Sequence, residues 1–415
     1  MDYQYPEVTI SALAETGQEE SSIVVPLQHE YTSKKPVIPS SLANTLCAFL
    51  GVQGLLDQLN TTLGTSCSLD NPFLSFVLED CIEDSWDFGL AYSYLHQIWY
   101  IDDWSIVKEV LWWWSNEDEK KRREALIGDR IVRPQFPPRH VWDLYSNWPI
   151  SHAWVDKKDR TAVWMPINGY EWPVPIPKDA DLNLIHIEML NLGAEYMWLD
   201  VLGLRQEGRP REDLHVEEWR LDVPIIGAVY FDVDVVFYLS GLGRPLMLNE
   251  GDLDSDRSWF RCAWMLQEVG EEWVIAGDTP DGLLPAECKD GEYATELLTR
   301  FHKKLEDTNN LCQVDDTLVQ MRMQVSMNPV DKIMGLAFVM AMQWIPAYSE
   351  SVSLEHAWTA LMDLMSVWHQ AQLFFLCAEL GDAGPKWWPS WHQVMTKPLL
   401  PYQTLGDVDR MRQVV

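Results

Sequence analysis

Apolar positions along this chain recur with two different periods, and the places where the period changes divide it. Residues 1 to 38 are rich in acids, Ser and Thr and carry little periodicity, so they read as an extended arm. From Ser40 and Ser41, which offer caps, Leu42, Leu46, Phe49 and Leu50 recur at helical spacing through LANTLCAFLGVQGLLDQL. FLSFVLEDCIEDSWDFGLAYSYLHQIW and WSIVKEVLWWW continue the same period, so 40–132 is expected to be a helical region. RPQFPPRH, with three prolines, interrupts it at 133–140.

Beyond that break the texture alternates. NWPISHAW (147–154), YMWLDVLGL (196–204), DVVFYLSGL (234–242) and EEWVIAG (271–277) read as short apolar strands. Between them DADLNLIHIEMLNLGAE, EEWRLDVPIIGAVYFDVD and SWFRCAWMLQEVG (258–270) read as helices. Short buried strands separated by helices predict an α/β region, a parallel sheet flanked by helices, over 139–285. The period then returns to 3.6 in ATELLTRFHKKLED, VDDTLVQMRMQ and SLEHAWTALMDLMSVWHQAQLFFL, which makes 286–395 helical. Residues 396–415 read as a surface tail.

Charge narrows the partners. The chain has 415 residues and a formal net charge of −32, which opposes phosphate backbones and anionic lipid. Nucleic acid and membrane are therefore not expected. The densest basic run, Lys120 to Arg123, follows Glu117, Asp118 and Glu119 and reads as a solvated helix face. Seven scattered cysteines without a CxxC pair argue against a disulfide framework and a zinc site, and no metal-ligand spacing stands out. The first twenty residues have neither a basic region nor an apolar core, and no long apolar run occurs, so a reduced, cytoplasmic setting is expected. The 22 tryptophans must be packed for the most part.

Ligands of open parallel sheets bind at the carboxyl ends of the strands. The expected strand ends carry Ser151, His152 and Trp154, then Asp200 with Gln206 a turn later, then Ser240 and Gly241, just before the segment bearing Trp264, Gln267 and Glu268. On an α-helix Trp264 and Glu268, four apart, would share a face. Each residue also has a plainer role open to it. His152 can bond backbone at a strand end, Asp200 can cap the next helix, and Glu268 can pair with Arg261. Trp259 and Trp264 can be core. P-loop, GxGxxG-after-strand, GxSxG and HExxH motifs are absent from the sequence.

ISHAW, YMWLDVLGLRQ and SWFRCAWMLQE resemble, in order and spacing, three blocks of fungal heterokaryon-incompatibility (HET) domain proteins, LSHxWG, YLWIDxLCIxQ and RxWTLQE. NPVDKIMGLAF (328–338) is similar to the family's DPRDKIYALLGL, AYSESVSLEHAW to its following helix entry, and WWPSW to its LPSW ending. The resemblance spans about 139 to 391. Val155 stands at a usual Gly, Gly203 at a usual Cys, and Arg205 at an often acidic position. HET domains are regarded as relatives of TIR domains, so the resemblance implies a TIR/flavodoxin-like sheet. It also implies a role in non-self recognition and programmed cell death. In enzymatic TIR domains the Glu of a WxxxE-like helix cleaves NAD at the nicotinamide–ribose bond. WMLQE has that spacing and makes Glu268 the catalytic candidate. Ser151, His152, Trp154, Asp200, Gln206, Trp264 and Gln267 are then the substrate-binding candidates. NAD would be a substrate, with no resident cofactor expected. Self-association through the domain and a separate sensor protein are the partners it implies. Two alternatives stay open: a non-catalytic HET signalling module, and a HET-derived enzyme recruited to another small-molecule reaction.

Overall fold

The computed structural model describes residues 9–11, 37–96, 98–100, 103–107, 120, 124–132, 147–164, 172–192, 194, 196–207, 212–231, 233–244, 246, 248–270, 273–277, 293, 295–309, 314–383 and 388–400. Its centre is a four-stranded sheet formed by β1 (Asn147–His152), β2 (Tyr196–Leu199), β3 (Val235–Tyr238) and β4 (Trp273–Ile275). The spatial order is β2-β1-β3-β4, and every neighbouring pair is parallel. Ile150 lies opposite both Leu199 and Val236, and Ser151 and His152 lie opposite Phe237 and Tyr238. The mixed α/β architecture expected from the alternating texture is present.

Strands this short hold together because both faces are dry. All four residues of VVFY in β3 are buried. Side chains alternate across a strand, and the packing follows that alternation. Val235 and Phe237 join a core shared with Trp259, Met265, Phe301, Leu318, Ile333, Trp358 and Leu361. The C-terminal helices Glu296–Asn309, Val314–Met323, Asp331–Val339, Leu354–Leu364 and Val367–Leu376 therefore cover one face of the sheet. Val236 and Tyr238 face a second core with Ile150, Val174, Ile176, Ile185 and Met189. There the helix Leu182–Leu192 and the antiparallel hairpin Arg160–Val163/Val174–Pro177 close the other face.

The connections fix where a site can form. From β1 the chain passes outward to β2, then returns across β1 to β3 and on to β4. The winding reverses between β1 and β3, so the crevice at their carboxyl ends is the topological switch point.

A third core belongs to the N-terminal helices Cys47–Leu63, Pro72–Glu83 and Phe88–Leu95, built on Leu55, Leu59, Leu78, Phe88 and Leu95. Three expectations for this part need correction. The first helix is kinked at Gly51, whose φ of 67° takes it out of helical geometry. The long stretch from Phe73 is two helices, because Ser85 turns at φ 60° and the Asp87 side chain caps the second by accepting from the Leu90 N–H. Residues 126–132, read as the end of the helical region, form strands Leu126–Ile127 and Arg130–Val132 in a sheet with Trp344–Pro346. Within the expected arm, Thr9–Ser11 pairs in parallel with Val37–Pro39. Residues 401–415 of the expected tail, most of the charged run 116–124 and the Pro-rich 133–140 lie outside the described residues. No helix among the described residues is long and apolar enough to cross a membrane.

Candidate functional site

The last two residues of β1 point to opposite sides of the sheet, and each finds a carboxylate. Ser151 is 1 % exposed and donates its hydroxyl to Glu268 Oε2. The Trp259 indole N–H donates to the same Ser151 oxygen at 2.7 Å. These bonds run in one direction, Trp259 to Ser151 to Glu268, and fix Glu268 Oε2 as the acceptor at its end. The other oxygen, Oε1, accepts no hydrogen bond among the described residues. Behind Ser151, Tyr230 donates to the Ile150 carbonyl at 3.1 Å. His152 places Nε2 2.9 Å from Asp200 Oδ1, and Nδ1 lies 3.3 Å from the Ala153 carbonyl. Both ring nitrogens thus face acceptors, an arrangement satisfied by the doubly protonated imidazolium.

Asp200 sits where β2 ends and the short helix Asp200–Gly203 starts, and its Oδ1 also accepts from the Val201 N–H at 2.7 Å. Local backbone bonding and the ion pair therefore coexist at this residue. Trp154 tilts against the His152 ring at 5.1 Å between centroids, and the Arg160 guanidinium lies over Trp154 at 4.5 Å. The groups run from fully buried Ser151 outward to half-buried Asp200, Trp154 and Arg160.

The electrostatics of the site are coupled. Burial pushes the Glu268 carboxyl up, and the Asp200 carboxylate adds to the rise. The Ser151 hydrogen bond and the His152 charge oppose it, and the result is about 7 against an ordinary 4.5. Burial alone would lower His152, but the Asp200 carboxylate, helped by Glu268, outweighs it and the imidazole is held above its usual value. Cys262, beside the same turn, is pushed up to about 12, chiefly by burial, and is no nucleophile at neutral pH.

The segment carrying Glu268 differs from expectation. Residues 258–270 are not an α-helix but two 3-10 turns, Trp259–Arg261 and Trp264–Gln267, with extended Cys262 between them. A segment distant in sequence diverts the backbone through an isolated bridge at Val325. The Ala263 N–H donates to the Val325 carbonyl at 3.0 Å, and the Val325 N–H donates to the Arg261 carbonyl. With three residues per turn, positions four apart no longer share a face. Trp264 packs on the core instead, on the side of the helix Asp331–Val339. Gln267, 4 % exposed, donates to the Met334 carbonyl at 3.2 Å, and its Oε1 is buried without a partner. Gln206 curls onto the Leu204 carbonyl of its own loop at 2.8 Å. The chain thus brings together Ser151, His152, Trp154, Asp200 and Glu268, and turns Trp264 and Gln267 toward Asp331–Val339. Arg261 pairs with Asp256, not with Glu268.

Two residues of this constellation were not singled out from the sequence. Trp259 reads as core, yet its indole N–H anchors Ser151. Arg160 opens a hairpin strand that local periodicity does not show, and its lowered pKa, set by burial against the Asp200 and Asp156 carboxylates, marks it as part of the same field. Gly203 has a structural reason: a Cβ there would lie 2.4 Å from the Trp198 indole nitrogen. Any side chain at that position, a thiol included, requires Trp198 to move. Among the described residues no His, Cys, Asp and Glu group could hold a metal ion. No family model matches the chain, and no curated protein and no solved structure matches it either.

Proposed function

We propose that this chain is a HET-type effector with a flavodoxin/TIR-like sheet, and that it cleaves NAD at the nicotinamide–ribose bond. The observation that carries the reading is the meeting of two polar pairs, Ser151–Glu268 and His152–Asp200, at the switch point of a 2-1-3-4 parallel sheet. That strand order is the one shared by flavodoxin-like folds, whose ligands sit at this crevice. The sequence resemblance and the chemistry of the site point the same way.

Cleavage passes through an oxocarbenium-like ribose, which a nearby carboxylate stabilises. Ser151 would hold one oxygen of Glu268 and leave Oε1 toward the ribose. Nicotinamide departs as a neutral molecule and needs no strong acid. Water then adds to the ribose carbon, and Glu268, at about 7, is matched to accept its proton. His152 would keep the carboxylate charged, and Arg160, stacked on Trp154 with its Nε donating to the Val155 carbonyl, would offer its remaining N–H groups to the pyrophosphate.

The test is nicotinamide release from NAD by the wild type and Glu268→Gln at several protein concentrations. Loss of release in the variant supports the reading, and a steep concentration dependence supports self-association. A second, non-catalytic reading is favoured by the depth of the site, since Glu268 is 7 % exposed. In that reading the network only locks the strands to the turn, and neither protein releases nicotinamide.

A further inference from the structure

An open cleft of about 410 Å3 is lined by Arg322, Gln324, Val325, Pro329, Lys332, Trp391 and Met395, of which Val325 bonds to the backbone of Arg261 and Ala263. Its chemistry runs against the rest of the molecule. The chain has 63 acidic residues against 31 Lys and Arg, yet the lining holds two cations and no acid. Lys332, on the helix Asp331–Val339, is half-buried and forms no ion pair or hydrogen bond among the described residues.

The neighbouring groups do not neutralise it. The adjacent Asp331 is buried and accepts from Tyr348 at 2.8 Å. Glu355, the acid nearest Trp391 in the bonding pattern, accepts from the Trp391 backbone N–H at 3.3 Å. Arg261 adds like charge that bears on Lys332, and its own Nε is buried without a partner. A half-buried cation without a counter-charge is less favourable than a paired one, so this arrangement is suited to a bound anion.

The site is also built rather than incidental. Arg322 is fixed by donating from Nε to the Val394 carbonyl at 2.8 Å and from Nη2 to the carbonyls of Val394 and Lys397. Gln324 is 2 % exposed. In the orientation that satisfies both ends of its amide, its nitrogen reaches the carbonyls of Phe260, Arg261 and Cys262 at 2.9–3.2 Å. Val325 is tied by backbone bonds to Arg261 and Ala263. The floor is therefore rigid, while Trp391, Pro329, Met395 and Val325 supply an apolar wall beside the cations.

We propose that this cleft binds a small molecule bearing a compact oxyanion, carboxylate or phosphate monoester, on a flat apolar or aromatic body. Lys332 takes the oxyanion, and Trp391 and Pro329 take the body. This site is separate from the Ser151–Glu268 crevice and does not depend on the reading given to that crevice.

The test is calorimetric titration of the full chain with phenyl phosphate, benzoate, benzamidine and inorganic phosphate. Phenyl phosphate, benzoate or both bind the wild type, and which of them binds more tightly identifies the oxyanion. Lys332→Met weakens that binding by at least about tenfold, the loss of one charge-assisted bond, and Lys332→Arg retains most of it. Benzamidine, with the same ring and the opposite charge, does not bind. Equal binding by the folded Lys332→Met protein would overturn the proposal. So would benzamidine binding as well as phenyl phosphate, absence of binding by both aromatic anions, or inorganic phosphate binding as tightly as phenyl phosphate.

Discussion

Replacing Glu268 by Gln should stabilise the protein above neutral pH while leaving it nearly unchanged in acid. The carboxyl is carried from 4.5 to about 7 on folding, a difference of about 2.5 pH units, chiefly by burial. Each unit corresponds to about 1.4 kcal/mol, so ionising Glu268 in the folded chain costs up to about 3.5 kcal/mol relative to the unfolded chain. The sign follows from which state binds the proton more tightly. Between pH 4.5 and about 7 the unfolded carboxyl is ionised and the folded one is not, so stability falls as pH rises through that window. Above about 7 both are ionised and the full cost is present. Gln keeps an oxygen to accept from Ser151 and has no charge to desolvate. Denaturant unfolding of both proteins at pH 5 and pH 8, followed by tryptophan fluorescence, isolates the effect. Asp331, also raised by burial to about 6, titrates in both proteins and cancels in the comparison. The expected difference is below about 1 kcal/mol at pH 5 and about 3 kcal/mol in favour of the variant at pH 8. A variant equally stable or less stable than wild type at pH 8, or a gain of the same size at both pH values, would refute the argument.

Three further outcomes follow from the same geometry. Nicotinamide release should rise with pH through about 7 as Glu268 ionises, and a rate flat across that range would count against it as the base. Ser151→Ala removes a hydrogen bond that lowers the Glu268 pKa and should shift that rise to higher pH, read from the full pH–rate profile. Gly203→Cys forces a Cβ against Trp198 and should destabilise the fold by about 1–3 kcal/mol in denaturant unfolding, without adding thiol-dependent activity.

The alternation of apolar strands and helices made the α/β centre legible, because a run such as VVFY, buried at every position, suits a parallel sheet covered on both faces. Ser151, His152 and Asp200 were legible for the same reason: each ends or follows such a run. The turn around Glu268 was not. Trp259, Ala263 and Leu266 have spacings that fit an α-helix, but the 3-10 geometry is imposed by hydrogen bonds to Val325, some sixty positions away. Local period cannot carry that information. The turn moved Gln267 and Trp264 off the crevice and brought the Trp259 indole to Ser151. Arg160 was hidden because its hairpin pairs RTAV with VPIP, a strand whose two prolines erase the usual signal.

The most direct test of the account is incubation of purified wild type and Glu268→Gln with NAD, measuring free nicotinamide over time at low and high protein concentration. The wild type should release nicotinamide, and the variant, folded at least as stably, should not. Equal release by both proteins, or none from the wild type at any concentration, would contradict it.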